Sequence, residues 1–160
     1  RREQEFAAAN HIGRLLDDGR SAMLQPYLDA VDTHGETAQL YFDGGFSHAL
    51  RKAALLRPDE PPLAHLRLPD AIATREPDAD ELQVAETVLA FLRARSDWPP
   101  LYARIDLIRD SCGQPRLLEL ELTEPSLFLT YVPAAAERFA AVLARRIGVD
   151  PAAAPQRGHA

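Results

Sequence analysis

Sulfur, lysine and long apolar runs are scarce in this 160-residue chain. One cysteine, Cys112, excludes an internal disulfide and fits a reducing cytoplasm. No apolar run approaches the roughly 20 residues that cross a bilayer, so no membrane partner is expected. No secretory signal is visible, and a start at Arg1 rather than methionine predicts a processed, tagged or truncated product. A basic balance is absent as well. Lys and Arg total 18 against 24 Asp and Glu, for a net charge of -6 and a pI near 5.3. That argues against nucleic acid, whose phosphates call for a basic face. Five histidines show no His-x-x-His spacing and no His/Cys pairing, which makes zinc a poor expectation. Ser126 and Cys112 have no base readable beside them, so neither is expected to act as a nucleophile. Internal repeats are missing too.

What remains is an ordinary globular composition, 46% hydrophobic and 26% charged. The length predicts one domain over residues 1–150 with a core of its own, and a disordered tail over 151–160. Phe6, Ile12, Leu15 and Leu16 give a helix over 3–19 that stops at Gly19. Residues 21–25 read as a short strand ended by Pro26, with Tyr27 and Leu28 extended. Residues 37–42 and 46–52 read as a hairpin about Asp43-Gly44-Gly45. Residues 57–80 carry Pro58, Pro61, Pro62, Pro69 and Pro77 and read as an irregular loop, a kind that is usually functional or disordered. A helix over 80–95 ends at Trp98-Pro99-Pro100. Another runs over 133–147 from Pro133 to Gly148. Helices beside a largely antiparallel sheet make the fold class α+β.

Between the last two helices, residues 102–126 form a second hairpin. Alternation puts Tyr102, Arg104, Asp106 and Ile108 on one face, with Ala103, Ile105 and Leu107 on the other. On the return strand Leu118, Leu120 and Leu122 share one face, and Glu119 and Glu121 the opposite one. A turn centred on Cys112-Gly113 sets Asp106 opposite Glu119 and Arg104 opposite Glu121. Facing carboxylates repel, and hard, oxygen-seeking Mg²⁺ offsets such repulsion best. The alternation by itself also reads as an amphipathic hairpin with solvated glutamates. Arg104 either pairs with Glu121 across the strands or reaches a ligand. Lys52 and His48 likewise read as a surface charge and a packed histidine, or as site residues.

Five segments in order carry a resemblance. They are residues 24–28 (Leu-Gln-Pro-Tyr-Leu), 35–37 (Gly-Glu-Thr), 42–52 (from Phe-Asp-Gly-Gly-Phe-Ser-His to Lys52), 102–106 (Tyr-Ala-Arg-Ile-Asp) and 119–129 (Glu-Leu-Glu-Leu-Thr-Glu-Pro-Ser-Leu-Phe-Leu). Over about residues 20–132 the chain resembles the C-terminal part of the ATP-grasp superfamily, in its glutathione-synthetase-like branch that includes a cycloserine-biosynthesis cyclo-ligase. The resemblance implies ATP and Mg²⁺ as cofactors. It also implies an acyl-phosphate intermediate, with a small-molecule carboxylate and an amine as substrates.

By it, Asp106, Glu119 and Glu121 would hold Mg²⁺, and Arg104 would lie over the transferring phosphoryl group or the substrate carboxylate. Gln25, Tyr27 and Leu28 would meet adenine, Glu36 would stand near the nucleotide, and Arg51 or Lys52 would face phosphate or substrate. An upstream ATP-grasp half is the implied partner, and a homodimer stays open. Glu121 stands where many relatives have Asn. Thr37 and Ala38 replace a usual Arg and Ser, and residues 53–78 lack a usual glycine-rich stretch with an Arg. Two other readings follow from these departures: a degenerate or regulatory module without turnover, and a small acidic protein-interaction domain.

Overall fold

A computed structural model describes residues 2–54, 72–95 and 100–148. Most of the proline-rich loop, most of the Trp98-Pro99-Pro100 break and the tail therefore lie outside the described residues. The elements run α1 (Arg2–Asp17), α2 (Val31–His34), β1 (Glu36–Phe42), β2 (Gly45–Lys52), β3 (Ile72–Thr74), α3 (Ala79–Arg93), β4 (Tyr102–Arg109), β5 (Pro115–Glu121) and α4 (Pro133–Arg146). The strands form one antiparallel sheet in the order β3-β2-β1-β4-β5. No described helix is long and apolar enough to cross a membrane.

Local chemistry explains most of these elements. Asp43 and Gly44 both take positive φ, at 52° and 77°. That geometry joins Phe42 and Gly45 through a two-residue hairpin turn. Glu81 accepts a hydrogen bond from the Asp78 backbone N–H, closing the first turn of α3 from its third position. Pro133 opens α4, where its missing N–H costs nothing.

Two expectations need correction. Residues 20–28 form no strand, because no ladder pairs with them among the described residues; most of their side chains are exposed. The loop expected over 57–80 contains a strand at its end. Ile72 and Thr74 are β-branched, and β3 pairs with the outer edge of β2 at Leu50–Lys52.

The two faces of the sheet carry different burdens. One face packs under α3, where Tyr41, Ala103, Ile105 and Leu107 meet Ala85 and Leu89, with Leu120 and Leu122 at the margin. The other face is apolar at one end, where Phe42 and Tyr102 pack on Phe139 and Val142 of α4. At its other end the same face is charged. Gly35 sits at the entry to that end with φ +71°, and a Cβ there would stand 2.3 Å from the Lys52 carbonyl oxygen. We expect Gly35→Ala to cost about 2–4 kcal/mol through backbone strain and this clash. Urea denaturation checks it: the midpoint falls at unchanged slope, and an unchanged midpoint would contradict the reading.

Candidate functional site

Strand register assembles the charged end of the sheet in rows. Ala38 lies across from Leu50 and Asp106, and Asp106 across from Glu119. Leu40 lies across from His48 and Arg104, and Arg104 across from Glu121. Glu36 faces Lys52 at the end of the hairpin. The pairings expected from the sequence for Asp106 and Arg104 are both present, although the turn alone would not produce them. Arg109 pairs with Pro115, Ile108 with Arg116 and Leu107 with Leu117, so the turn centres on Cys112. A bulge between Asp106 and Leu107 then inserts Leu118 and shifts β5 by one residue. It brings Glu119 opposite Asp106, and it leaves Leu118 40% exposed instead of in the leucine face expected for it.

Asp106 is the centre of the cluster and is wholly buried. Lys52 Nζ donates to its Oδ2 at 2.8 Å and also reaches Glu36 Oε2 at 2.7 Å. Arg104 Nε donates to both Asp106 oxygens, at 3.0 and 3.1 Å. Arg104 Nη2 meets Asp106 at 3.0 Å and Glu119 at 3.1 Å, and donates a short bond to Glu121. Burial is the largest influence on Lys52 and Arg104 and opposes their charges, but the hydrogen bonds they donate to Asp106, with the negative charges of Asp106 and the neighbouring glutamates, together outweigh it and hold both above their ordinary ranges. Burial pushes the Glu121 carboxyl up; Arg104 pulls it down and Glu119 raises it further. Four carboxylates surround two cations, so this end of the sheet keeps two uncompensated negative charges.

A loop from Leu122 to Val132 closes over the cluster. Glu124 and Phe128 sit at φ 58° and 51°, unusual for residues with side chains. The Phe128 ring stands 5.9 Å from the Arg104 guanidinium carbon, at the edge of cation–π reach. His48 Nε2 bonds the Leu127 carbonyl at 3.1 Å, with Ser47 Oγ on Nδ1 at 2.9 Å. His48 is therefore a buried latch between β2 and this loop.

The other expected site residues lie apart. Arg51 points to the opposite face from Lys52 and donates to the Thr33 and His34 carbonyls at the end of α2. Tyr27 hydroxyl donates to Asp32 Oδ1 at 2.6 Å. Gln25, Tyr27 and Leu28 belong to the irregular segment between α1 and α2.

Three features escaped the sequence. Thr37 faces α3, where its hydroxyl donates to buried Glu81 at 2.7 Å, so the threonine that replaces a usual arginine points away from the cluster. Arg75 reaches the same Glu81 carboxylate at 3.1 Å. Arg109 clamps Asp78 and Asp80, tying the β4–β5 turn to the start of α3. Asp78 and Glu81 at capping-box spacing were the available signal.

The donor set fits a hard divalent cation in kind, since three carboxylates converge on one point. Its spacing suits N–H···O bonds. Mg²⁺ asks for about 2.0–2.1 Å, roughly an ångström less than the Asp106 and Glu119 contacts. Accordingly, no group of three or more His, Cys, Asp or Glu among the described residues is placed to hold a metal.

Two predictions test this site. Asp106→Asn should cost about 3 kcal/mol, because it strips a buried partner from two cations. Glu119→Gln, whose side chain is 52% exposed, should cost under about 1 kcal/mol. Equal losses in urea denaturation would contradict the central place given to Asp106. Burial, with Arg138 adding to it, lowers the pKa of His48 against the pull of its bond to Leu127. The unfolded chain therefore binds this proton more readily, and stability falls as pH drops below about 6.5. Melting temperatures from pH 7 to 5 should show that slope flattened in His48→Gln, and an unaltered slope would refute it.

No family model matches the chain. It is 44% identical over 142 residues to the cycloserine biosynthesis protein DcsG of Streptomyces lavendulae, covering 88% of this chain and 47% of that protein. The crystal structure of the D-cycloserine synthetase DcsG superposes with a TM-score of 0.79 at 42% identity, over 92% of this chain and 50% of that one. A D-alanine–D-alanine ligase from Bacillus anthracis, solved with ATP, reaches a TM-score of 0.49 at 16% identity over 91% and 46%, a likeness that carries no argument. The chain thus spans about half the length of the relatives it matches. With 44% identity and a shared antiparallel sheet, this chain belongs to the ATP-grasp superfamily as a homologue of about half of DcsG.

Proposed function

We propose that this chain is the Mg²⁺- and ATP-binding half of an ATP-dependent carboxylate–amine ligase that works through an acyl-phosphate. The observation that carries the reading is the cluster of Glu36, Lys52, Arg104, Asp106, Glu119 and Glu121 on one sheet face, two negative charges in excess. The identity to DcsG supports it, and that relative's name makes cycloserine synthesis the first reaction to screen. Asp106, Glu119 and Glu121 would hold Mg²⁺, which neutralises phosphate charge when bound. Arg104 would orient an anionic oxygen, a task that suits a planar guanidinium. Lys52, braced by Glu36 and Asp106, would set a second positive charge beside it. Phosphoryl transfer asks a protein chiefly for such positioning and charge balance.

Gln25, Tyr27 and Leu28 would meet adenine, and Glu36 would stand toward the nucleotide. The partner we propose is the part of the enzyme that this chain does not match in DcsG. Helix α1 and the segment after it present Phe6, Leu16, Met23 and Leu24 to solvent, more than half exposed each. An apolar surface of that kind suits a covering protein face. Arg51 keeps a phosphate role only if it leaves the Thr33 and His34 carbonyls.

Calorimetry with a non-hydrolysable ATP analogue tests the reading. Binding should require Mg²⁺ and weaken at least about tenfold in Glu119→Gln/Glu121→Gln, in this chain joined to the partner proposed above. Binding that ignores both the metal and the double substitution would refute it.

A further inference from the structure

We propose that the cavity between β2 and the start of α4 is a binding site for a small organic monoanion, a carboxylate with a short apolar body. The cavity measures about 600 Å³, within the range of small-molecule sites. Its lining runs from Phe46 to Ala49 on β2, from Thr74 to Glu76 at the end of β3, and from Tyr131 to Pro133 with Arg138 at α4. None of Glu36, Lys52, Arg104, Asp106, Glu119 and Glu121 lines it, so the site stands apart from the nucleotide reading.

Arg138 supplies the charge, and its guanidinium is held by one edge only. Nε donates to Ser47 Oγ at 3.2 Å and Nη2 to the Ser47 carbonyl at 3.0 Å. The Nη1–Nη2 edge stays open, and Arg138 makes no ion pair among the described residues. Such an edge is a fork that takes a carboxylate through two parallel hydrogen bonds. Ser47 is fixed in turn. The Leu127 carbonyl can only accept, so His48 Nε2 carries the proton and bare Nδ1 accepts from the Ser47 hydroxyl. The Ser47 oxygen is then left to accept from Arg138 Nε. Buried His48 thus holds the guanidinium in place through one hydroxyl.

The rest of the lining sets what the ligand's body can be. Phe46 and Tyr131 are 43% and 38% exposed, and Ala49, Val132 and Pro133 add apolar surface. An apolar body that covers these walls adds to the charge pairing. Arg75 brings no free charge, since Asp78 and Glu81 hold its guanidinium. Glu76, exposed on the same lining, repels a second negative charge, so the site favours a monoanion over a dianion.

Butyrate is the probe, titrated into nitrogen-labelled protein and followed by backbone amide shifts and the Arg138 Nε–H signal. Saturable shifts confined to residues 46–49, 74–76 and 131–138 are expected, with a Kd on the order of millimolar. Butanol has the body without the charge and should bind about tenfold more weakly. Acetate keeps the charge but lacks two methylenes, and should lose a similar factor. Arg138→Gln should weaken butyrate at least about tenfold. Glu76→Gln serves if that variant fails to fold, as read from circular dichroism: it should tighten succinate, a dianion, and leave butyrate unchanged. Butanol binding as well as butyrate, butyrate binding unaffected by Arg138→Gln, or succinate binding unaffected by Glu76→Gln would each overturn the proposal. So would shifts that neither saturate nor localise. None of these results touches the nucleotide–metal reading.

Discussion

The pairing of Asp106 with Lys52 and Arg104 is the interaction on which the rest of this structure depends. A wholly buried carboxylate is costly unless it is paired and hydrogen-bonded. Here it sits on β4, flanked by β1 and β5, and takes cations from two strands. Each cation arrives by sheet register. Lys52 closes the β2 end of the first hairpin, and Arg104 lies one pleat from Asp106 on the same strand. A one-residue slip in either pairing would send these side chains to the apolar face under α3. Charge and packing therefore enforce the same register.

That coupling explains where the fold spends its irregularities. The β4–β5 bulge turns a turn-centred register into one that sets Glu119 beside Asp106. Gly35 lets the chain pass the Lys52 carbonyl, so that Glu36 can reach the ammonium. The positive φ values at Glu124 and Phe128 fold the loop back over Arg104, and His48 holds it there through Leu127. On the far side, Glu81 gathers Thr37, Arg75 and the start of α3, which fixes β1 from beneath. Backbone strain of this kind persists only where its surroundings determine it.

Much of this was legible in residue order. Alternation in 102–109 separated Arg104 and Asp106 from Ile105 and Leu107, and the hairpin about Asp43-Gly44 announced itself. Facing Asp106 with Glu119 succeeded by a compensation, since the turn and the bulge each moved by one and Leu118 took the difference. No local signal marks such a bulge. Thr37 could not be placed, because its partner Glu81 lies 44 residues away on another element. Arg51 and Lys52 are neighbours in sequence, yet pleating sends them to opposite faces, a difference that the motif reading of Arg51 or Lys52 as the residue facing phosphate or substrate leaves open. Residues 21–25 read as a strand because their composition is apolar, and a strand needs a partner as well as a composition.

The central claim is that β4 and β5 present a nucleotide–metal site on the face away from α3. The most direct measurement is paramagnetic broadening of backbone amide signals by Mn²⁺ with an ATP analogue, in nitrogen-labelled protein. The account predicts that Arg104, Asp106, Glu119 and Glu121 lose intensity first, with Lys52 close behind and Ala85 and Leu89 on α3 spared. Broadening centred on Asp78 and Asp80, or spread evenly over the acidic surface, would contradict it.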